Sequence, residues 1–279
     1  ETPMEAFSEG TITPNDRMFV RWNWDMPTAV KAADHRVAVG GAVKAPVSLT
    51  LEDIANAGEP VEVVAINQCA GNGRGLSEPR VTGTQWGNGA MGCAKWTGVR
   101  LKDVLAKAGV ADGATRVRFA GLDVPLTDGA PQFIKSIPLD IAMRDDVLVA
   151  WGMNGEPLPL LHGYPLRIVV PGWFSTYWVK MLATIEVLTG EDDSHYMADT
   201  YRFPAAPVQP GNGYDVIAYP AYGQSPQQVE QDRYQCHRWA VSQSGFDPAT
   251  AAYAPPINVA DSYRRALGAC FSGRGYSIN

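Results

Sequence analysis

The sequence predicts an α+β protein: one domain built on mixed sheets, then a small two-helix module. Three observations lead there. Short β-branched runs recur along most of the chain, with few stretches of helical spacing. A segment rich in Pro, Ala and Gly, Pro204 to Gly213, interrupts that pattern. Beyond it the spacing turns helical. The larger domain is therefore assigned to residues 1–212 and the helical module to residues 213–279.

The first residues are turn-rich (Pro3, Gly10, Pro14) and lead into the aromatic and basic string Phe19-Val20-Arg21-Trp22-Asn23-Trp24. Strand-like runs follow at His35 to Val39, Val47 to Leu51 and Val61 to Asn67. The third reads as a buried strand that delivers Cys69 just past its end. From Gln68 to Gly92 the chain is dense in Gly and polar residues, a length at which a loop is usually functional. Trp96 to Ala108 has helical spacing, with Leu101, Val104 and Leu105 on one face. Val117 to Ala120, Val147 to Trp151, Leu166 to Val170 and Val179 to Val187 read as strands, and Met153-Asn154-Gly155-Glu156 as a hairpin turn. In the module, Ser225-Pro226 is an N-cap and first-turn pair for a helix reaching about Gln243. A second helix runs from about Asn258 to Phe271 and stops at Gly273.

Composition narrows the function classes. The chain is 46% hydrophobic and 19% charged, which is ordinary for a globular domain, and it has a net charge of -6. It has no Lys/Arg cluster able to track a phosphate backbone, so nucleic acid is not an expected partner. Its apolar runs are broken too early to span a membrane. The four cysteines lack zinc-finger spacing, and no C-x-x-C-H occurs to attach a c-type haem. The sequence opens on Glu1 without a basic-then-apolar leader, which reads as a processed, exported form.

Cys69 sits in Asn67-Gln68-Cys69-Ala70-Gly71-Asn72-Gly73-Arg74. A thiolate on a Gly-rich turn beside an Arg suits a nucleophile or a soft metal ligand, and a buried structural cysteine is the alternative. A Cys–His hydrolase would need a base, and His162 is the obvious candidate. Arg21, Arg74 and Arg167 fall near turns or strand ends. Guanidinium groups bind oxyanions by forked hydrogen bonds, although a solvated Arg is the commoner case. Asp123 reads as a turn residue and Tyr201 as a packing residue, unless a site recruits them.

Seven ordered blocks share a pattern. They are Asn67 to Asn72, Trp86 to Ala90, Trp96 to Leu101, Gly121 to Asp123, Met153 to Pro159, His162 to Arg167, and Val169 to Gly172 continuing through Trp178 to Lys180. Together, from about Phe19 to Tyr201, the chain resembles the sulfite oxidase family of molybdopterin-dependent oxidoreductases. The wording Gly172-Trp173-Phe174-Ser175-Thr176-Tyr177-Trp178-Val179-Lys180 is most similar to bacterial periplasmic sulfite dehydrogenases. The resemblance implies a sulfite-oxidase-type fold and a Mo-molybdopterin cofactor, with Cys69 as the protein ligand to molybdenum. It implies that Phe19, Val20, Arg21, Trp22 and Asn23 line the cofactor, and that Asp123, His162, Arg167, Trp178, Val179 and Lys180 hold the pterin and its phosphate. Arg21, Arg74 and Tyr201 would face the substrate. The implied reaction is oxygen-atom transfer from sulfite to sulfate, with electrons passed to an external c-type cytochrome or haem subunit, in the periplasm. A sulfoxide reductase, a sulfane dehydrogenase, or a cofactor-free interaction protein are the alternatives.

Three features depart from the family. Asn23 stands where many relatives have His. Cys93 is an additional thiol, read as structural. The residues after Gly211 are too few and too helical for the immunoglobulin-like dimerisation domain that relatives usually carry. In their place stands the small module, in which Cys236 and Cys270 could join the two helices as a disulfide in an oxidising compartment. His237 reads as an exposed helical residue.

Overall fold

The computed structural model describes residues 1–76, 83–201, 216, 218–248 and 255–278. The chain divides into two compact units, Glu1–Tyr201 and Arg202–Asn279. The boundary expected between 212 and 213 lies outside the described residues.

Among its described residues the first unit holds ten strands: β1 (Val37–Gly41), β2 (Val47–Leu49), β3 (Val61–Gln68), β4 (Met91–Arg100), β5 (Arg116–Gly121), β6 (Ile134–Pro138), β7 (Leu148–Met153), β8 (Glu156–Pro157), β9 (Arg167–Val169) and β10 (Leu182–Leu188). Its helices are short: α1 (Leu51–Ala55), α2 (Leu101–Ala108), α3 (Leu139–Ala142) and α4 (His195–Ala198). One sheet has the order β2-β1-β10-β5-β6 and is mixed, because β1 runs parallel to β10 while its other neighbours are antiparallel. The other has the order β3-β4-β7-β8, with β9 also on β7, and is antiparallel throughout. A single core of buried Val, Leu, Ile, Phe and Trp side chains runs through the unit, with Trp96 and Trp178 among the largest fully enclosed.

Two expectations need correction. Helical spacing from Trp96 to Ala108 holds only for α2, since Trp96 to Arg100 belongs to β4. There the pairing of β4 with both β3 and β7 overrides local periodicity. A register shift at Thr97/Gly98 accommodates the change, and a Cβ on Gly98 would lie 2.2 Å from the Val149 carbonyl oxygen. Secondly, β3 is an edge strand and not a buried one. Ala65 and Asn67 point inward, while Val64 and Ile66 stay 57% and 51% exposed. Its β-branched residues mark strand propensity, not burial on both faces. The Asn154-Gly155 hairpin forms as read, with both residues at positive φ (56° and 85°) between β7 and β8.

The long loop after β3 is pinned by its own backbone. Cys69 N–H donates to the Ala90 carbonyl (2.9 Å), Gly73 N–H to Gly87 (2.7 Å), and Asn72 Oδ1 accepts from Ala90 N–H (2.8 Å). The turn bearing Cys69 is thereby fixed against the start of β4.

The second unit comprises β11 (Ala218–Pro220), α5 (Pro226–Ser244), α6 (Ile257–Gly273) and β12 (Tyr276–Ile278). Ser225 caps α5 by accepting from Gln228 N–H (3.2 Å), and Gly245 ends the helix at φ 67°. β11 and β12 pair antiparallel, a small sheet that the sequence did not announce. Cys236 and Cys270 are disulfide-bonded across α5 and α6, beside a core of Ala240, Phe246, Tyr263, Leu267 and Phe271. His237 is half-buried, not exposed. Its Nδ1 lies 2.7 Å from the Tyr263 hydroxyl and its Nε2 lies 3.5 Å from Asp247. Among the described residues no helix is long and apolar enough to cross a membrane.

Candidate active site

Loops from both sheets of the first unit converge on one cleft. Its wall contains Phe19, Arg21, Trp22, Asn23, Cys69, Asp123, His162, Arg167, Trp178, Val179, Lys180 and Tyr201, twelve of the fourteen residues singled out from sequence. Val20 and Arg74 do not line it. Arg74 folds back on its own loop, with a long contact of 3.4 Å from Nη1 to the Thr84 carbonyl, and packs over Gly71 and Gly83. It adds positive charge beside the Cys69 turn and forms no part of the wall.

Cys69 leaves β3 on the Gly-rich turn, and its Sγ lies 3.4 Å from Gly71 N–H. The His162 ring is buried, with Nε2 3.0 Å from the Asn15 carbonyl. Burial, then repulsion from Arg167, pushes its imidazole down to about 4, so the ring is neutral at pH 7. No thiol–imidazole bond joins Cys69 and His162 among the described residues, and the hydrolase reading loses its base.

The cationic side of the cleft is its most unusual feature. Arg167, at the start of β9, is only 4% exposed and packs against the edge-to-face pair Trp96 and Trp178, 4.7 and 5.8 Å from the ring centroids. It donates to the carbonyls of His162 (2.9 Å) and Trp178 (3.3 Å). Burial pushes its guanidinium down to about 9. Lys180 Nζ donates to the Arg21 carbonyl (2.7 Å) and lies 3.6 Å from the centre of the Trp22 ring. Burial first, and then repulsion from Arg167, holds Lys180 well below the usual lysine value, against the pull of Asp123. Asp123 is 4% exposed, and burial raises its carboxyl.

Three cations (Arg21, Arg167, Lys180) and one carboxylate (Asp123) therefore line a partly enclosed space. Among the described residues none of the three cations forms a salt bridge. Uncompensated buried charge is costly. Three polar atoms in the same wall are buried without a partner: Asn67 Nδ2, Arg167 Nε and Thr176 Oγ1. Such groups are normally satisfied, so a polar anionic ligand belongs there. Asn67, Thr176, Met18, Phe133 and Ser175 were not singled out from sequence. Asn67 had a signal, lying two residues before Cys69 on the inward face of β3. Thr176 and Ser175 fall inside the block that carried the resemblance, whereas Phe133 gave no sign.

Fold and cleft together define an α+β domain that binds an anionic, polar cofactor beside a cysteine. Comparison with known proteins agrees. Residues 23–196 match the family model for the oxidoreductase molybdopterin binding domain. Mitochondrial sulfite oxidase of Mus musculus is 39% identical over 208 residues, covering 72% of this chain and 38% of that protein. Nitrate reductase [NAD(P)H] of Hordeum vulgare is 37% identical over 203 residues, covering 70% of this chain and 23% of that protein. The crystal structure of the sulfane dehydrogenase SoxCD from Paracoccus pantotrophus superposes with a TM-score of 0.58 at 31% identity, covering 67% of this chain and 46% of that chain. The chain thus belongs to the sulfite oxidase family of molybdopterin-dependent oxidoreductases, and its cofactor is Mo-molybdopterin.

The wall fits that cofactor. Arg167, Lys180 and Thr176 offer donors and positive charge for a phosphate. Asp123 and Asn67 offer polar partners to a pterin. Among the described residues no group of three or more His, Cys, Asp or Glu side chains could hold a metal.

Proposed function

We propose that the protein oxidises sulfite to sulfate, with Cys69 as the protein ligand to molybdenum, and passes the electrons to a c-type cytochrome. The observation that carries this reading is Arg21 in the wall of the Cys69 cleft, a cation without a salt-bridge partner among the described residues and not needed by the cofactor phosphate. Sulfite is a small dianion near neutral pH, and fixed positive charge in a low-dielectric cleft attracts and orients it. A neutral sulfoxide would gain little from the same field. When bound, molybdopterin would supply the metal chemistry for adding one oxygen, ultimately from water, to sulfite and for accepting the two electrons released.

The chain's own residues hold and orient. Arg21 reaches the cleft from the N-terminal segment and fixes the sulfite oxygens by forked hydrogen bonds. The Tyr201 hydroxyl stands at the rim, donating to Asn23 Oδ1 over 3.4 Å, and would turn that proton to a substrate oxygen when one is bound. Arg167, Lys180 and Thr176 would hold the phosphate, and Trp96 and Trp178, packed against Arg167, shield it from water. Arg74 contributes at longer range. The disulfide in the second unit supports an oxidising compartment, for which we propose the periplasm.

The test is steady-state turnover of the molybdenum-loaded protein with sulfite and ferricytochrome c. It is set against nitrate with a reduced dye and against a cysteine-bound sulfane. Sulfite turnover should exceed the others by at least about a hundredfold in kcat/KM, the discrimination that about 3 kcal/mol provides. Preferred nitrate turnover would overturn the reading. Preferred sulfane turnover would favour the second reading, motivated by the structural likeness to the sulfane dehydrogenase.

A further inference from the structure

Lys135 is a lysine that the reaction as described does not use. It sits on β6 and is 1% exposed. Its Nζ donates to the Tyr196 carbonyl at 2.6 Å. The rest of the ammonium faces two phenol rings, with Nζ 4.5 Å from the centroid of Tyr177 and 4.8 Å from that of Tyr201. Tyr177 closes the turn Ser175–Tyr177, whose other two residues line the cleft. Tyr196 lies on α4, and Tyr201 is the rim residue. One buried cation therefore ties together three segments at the mouth of the cleft.

Tyr201 needs such a tie. Its φ is +59°, a left-handed backbone that a bulky side chain rarely adopts, and such a residue persists only where its surroundings hold it. It is also 43% exposed, so packing alone encloses little of it. The Asn23 contact at 3.4 Å is long.

We infer that Lys135 is a positioning residue: its ammonium holds the Tyr201 ring in place and so keeps the Tyr201 hydroxyl at Asn23 on the rim of the cleft. The inference rests on the proposed oxidation of sulfite for its kinetic readout, but not for its structural one. The titratable groups around Lys135 are the Tyr177, Tyr196 and Tyr201 side chains and the Asp192 carboxylate, which is itself bound by Arg118. His195 and Asp199 of α4 pair with each other. Burial pushes Lys135 down to about 8, only partly opposed by Asp192. The cation is then lost on the alkaline side, and the hold on Tyr201 weakens with it.

The experiment compares molybdenum-loaded wild type, Lys135→Met and Lys135→Arg by crystallography and by the pH profile of sulfite kcat/KM. In Lys135→Met, Tyr201 should leave Asn23 and its φ should return to negative values. At pH 7 kcat/KM should drop about tenfold, mostly through KM, as losing cation–π contacts of this kind implies. Lys135→Arg should keep Tyr201 in place and move the alkaline limb upward from near pH 8. The inference is overturned if Tyr201 stays put in Lys135→Met, or if the limb near pH 8 persists unchanged in both variants. Should Lys135→Met fail to fold, the limb in Lys135→Arg decides. If wild type does not oxidise sulfite, the function proposed above fails, and the position of Tyr201 in the variant crystals still decides this inference.

Discussion

Arg167→Met separates stability from cofactor binding, because the structure assigns opposing energies to this guanidinium. Burial lowers it from the usual guanidinium range to about 9. That shift corresponds to a desolvation cost on the order of 5 kcal/mol in the cofactor-free protein. Against it stand two carbonyl hydrogen bonds, at 2.9 and 3.3 Å, and two ring contacts. At about 2 kcal/mol for each charged hydrogen bond and about 1 for each cation–π contact, these return roughly 6 kcal/mol. The two sides nearly cancel. Met fills similar volume without charge, so cofactor-free Arg167→Met should unfold within about 2 kcal/mol of wild type. Binding should behave otherwise, since removing one partner of a buried, hydrogen-bonded charge pair costs about 2–5 kcal/mol. Cofactor affinity should fall by a hundredfold or so at about 3 kcal/mol. The assay is molybdenum per mole of protein after dialysis, with urea unfolding of the cofactor-free forms. Wild-type molybdenum retention in Arg167→Met would refute the assignment of Arg167 to the phosphate. A loss of stability far beyond 2 kcal/mol would refute the balance of terms.

Further outcomes follow from the same physics. The His162 ring has a native value of about 4 against 6.5 when unfolded, so the native state binds fewer protons between those limits. The His162 contribution to the stability of the cofactor-free protein should be constant above pH 6.5 and fall as the pH drops toward 4, by up to about 3 kcal/mol, a dependence that urea unfolding of His162→Gln should lack. Loading the cofactor should shrink the same dependence, since a neighbouring phosphate favours the imidazolium. The Cys236–Cys270 bond spans 34 residues, and its loop-closure contribution is about 4 kcal/mol. Replacing both cysteines with Ser should reduce amide protection in α5 and α6 by that amount in hydrogen-exchange measurements, and unchanged protection would contradict it.

Much of the site was legible because its chemistry is local. Cys69 follows a β-branched run and precedes three residues with strong turn character, so a strand end presenting a thiol could be read directly. Lys180 came from the resemblance alone, and Arg167 was read only as one of three guanidiniums suited to an anion, since no periodicity shows that it will pack against Trp96 and Trp178. Arg74 is placed off the cleft wall for a related reason: sequence adjacency to Cys69 does not fix side-chain direction, and the Gly-rich turn folds it over Gly71. Strand existence was clear, but sheet position was not. The β-branched character of β3 is the same at an edge as in the middle, so the exposure of Val64 and Ile66 could not be foreseen. Trp96 to Arg100 went to helix on spacing and to strand in the fold, because cross-strand pairing decides between them. Lys135 gave no local signal, since its role comes from Tyr177 and Tyr201, which lie far along the chain.

The central claim is that the Cys69 sulfur binds molybdenum in the cation-lined cleft. X-ray absorption at the molybdenum edge tests it most directly, on wild type and Cys69→Ser loaded with cofactor. The account predicts one fewer sulfur ligand in Cys69→Ser, with far-UV circular dichroism unchanged. An identical sulfur shell in both proteins would contradict it.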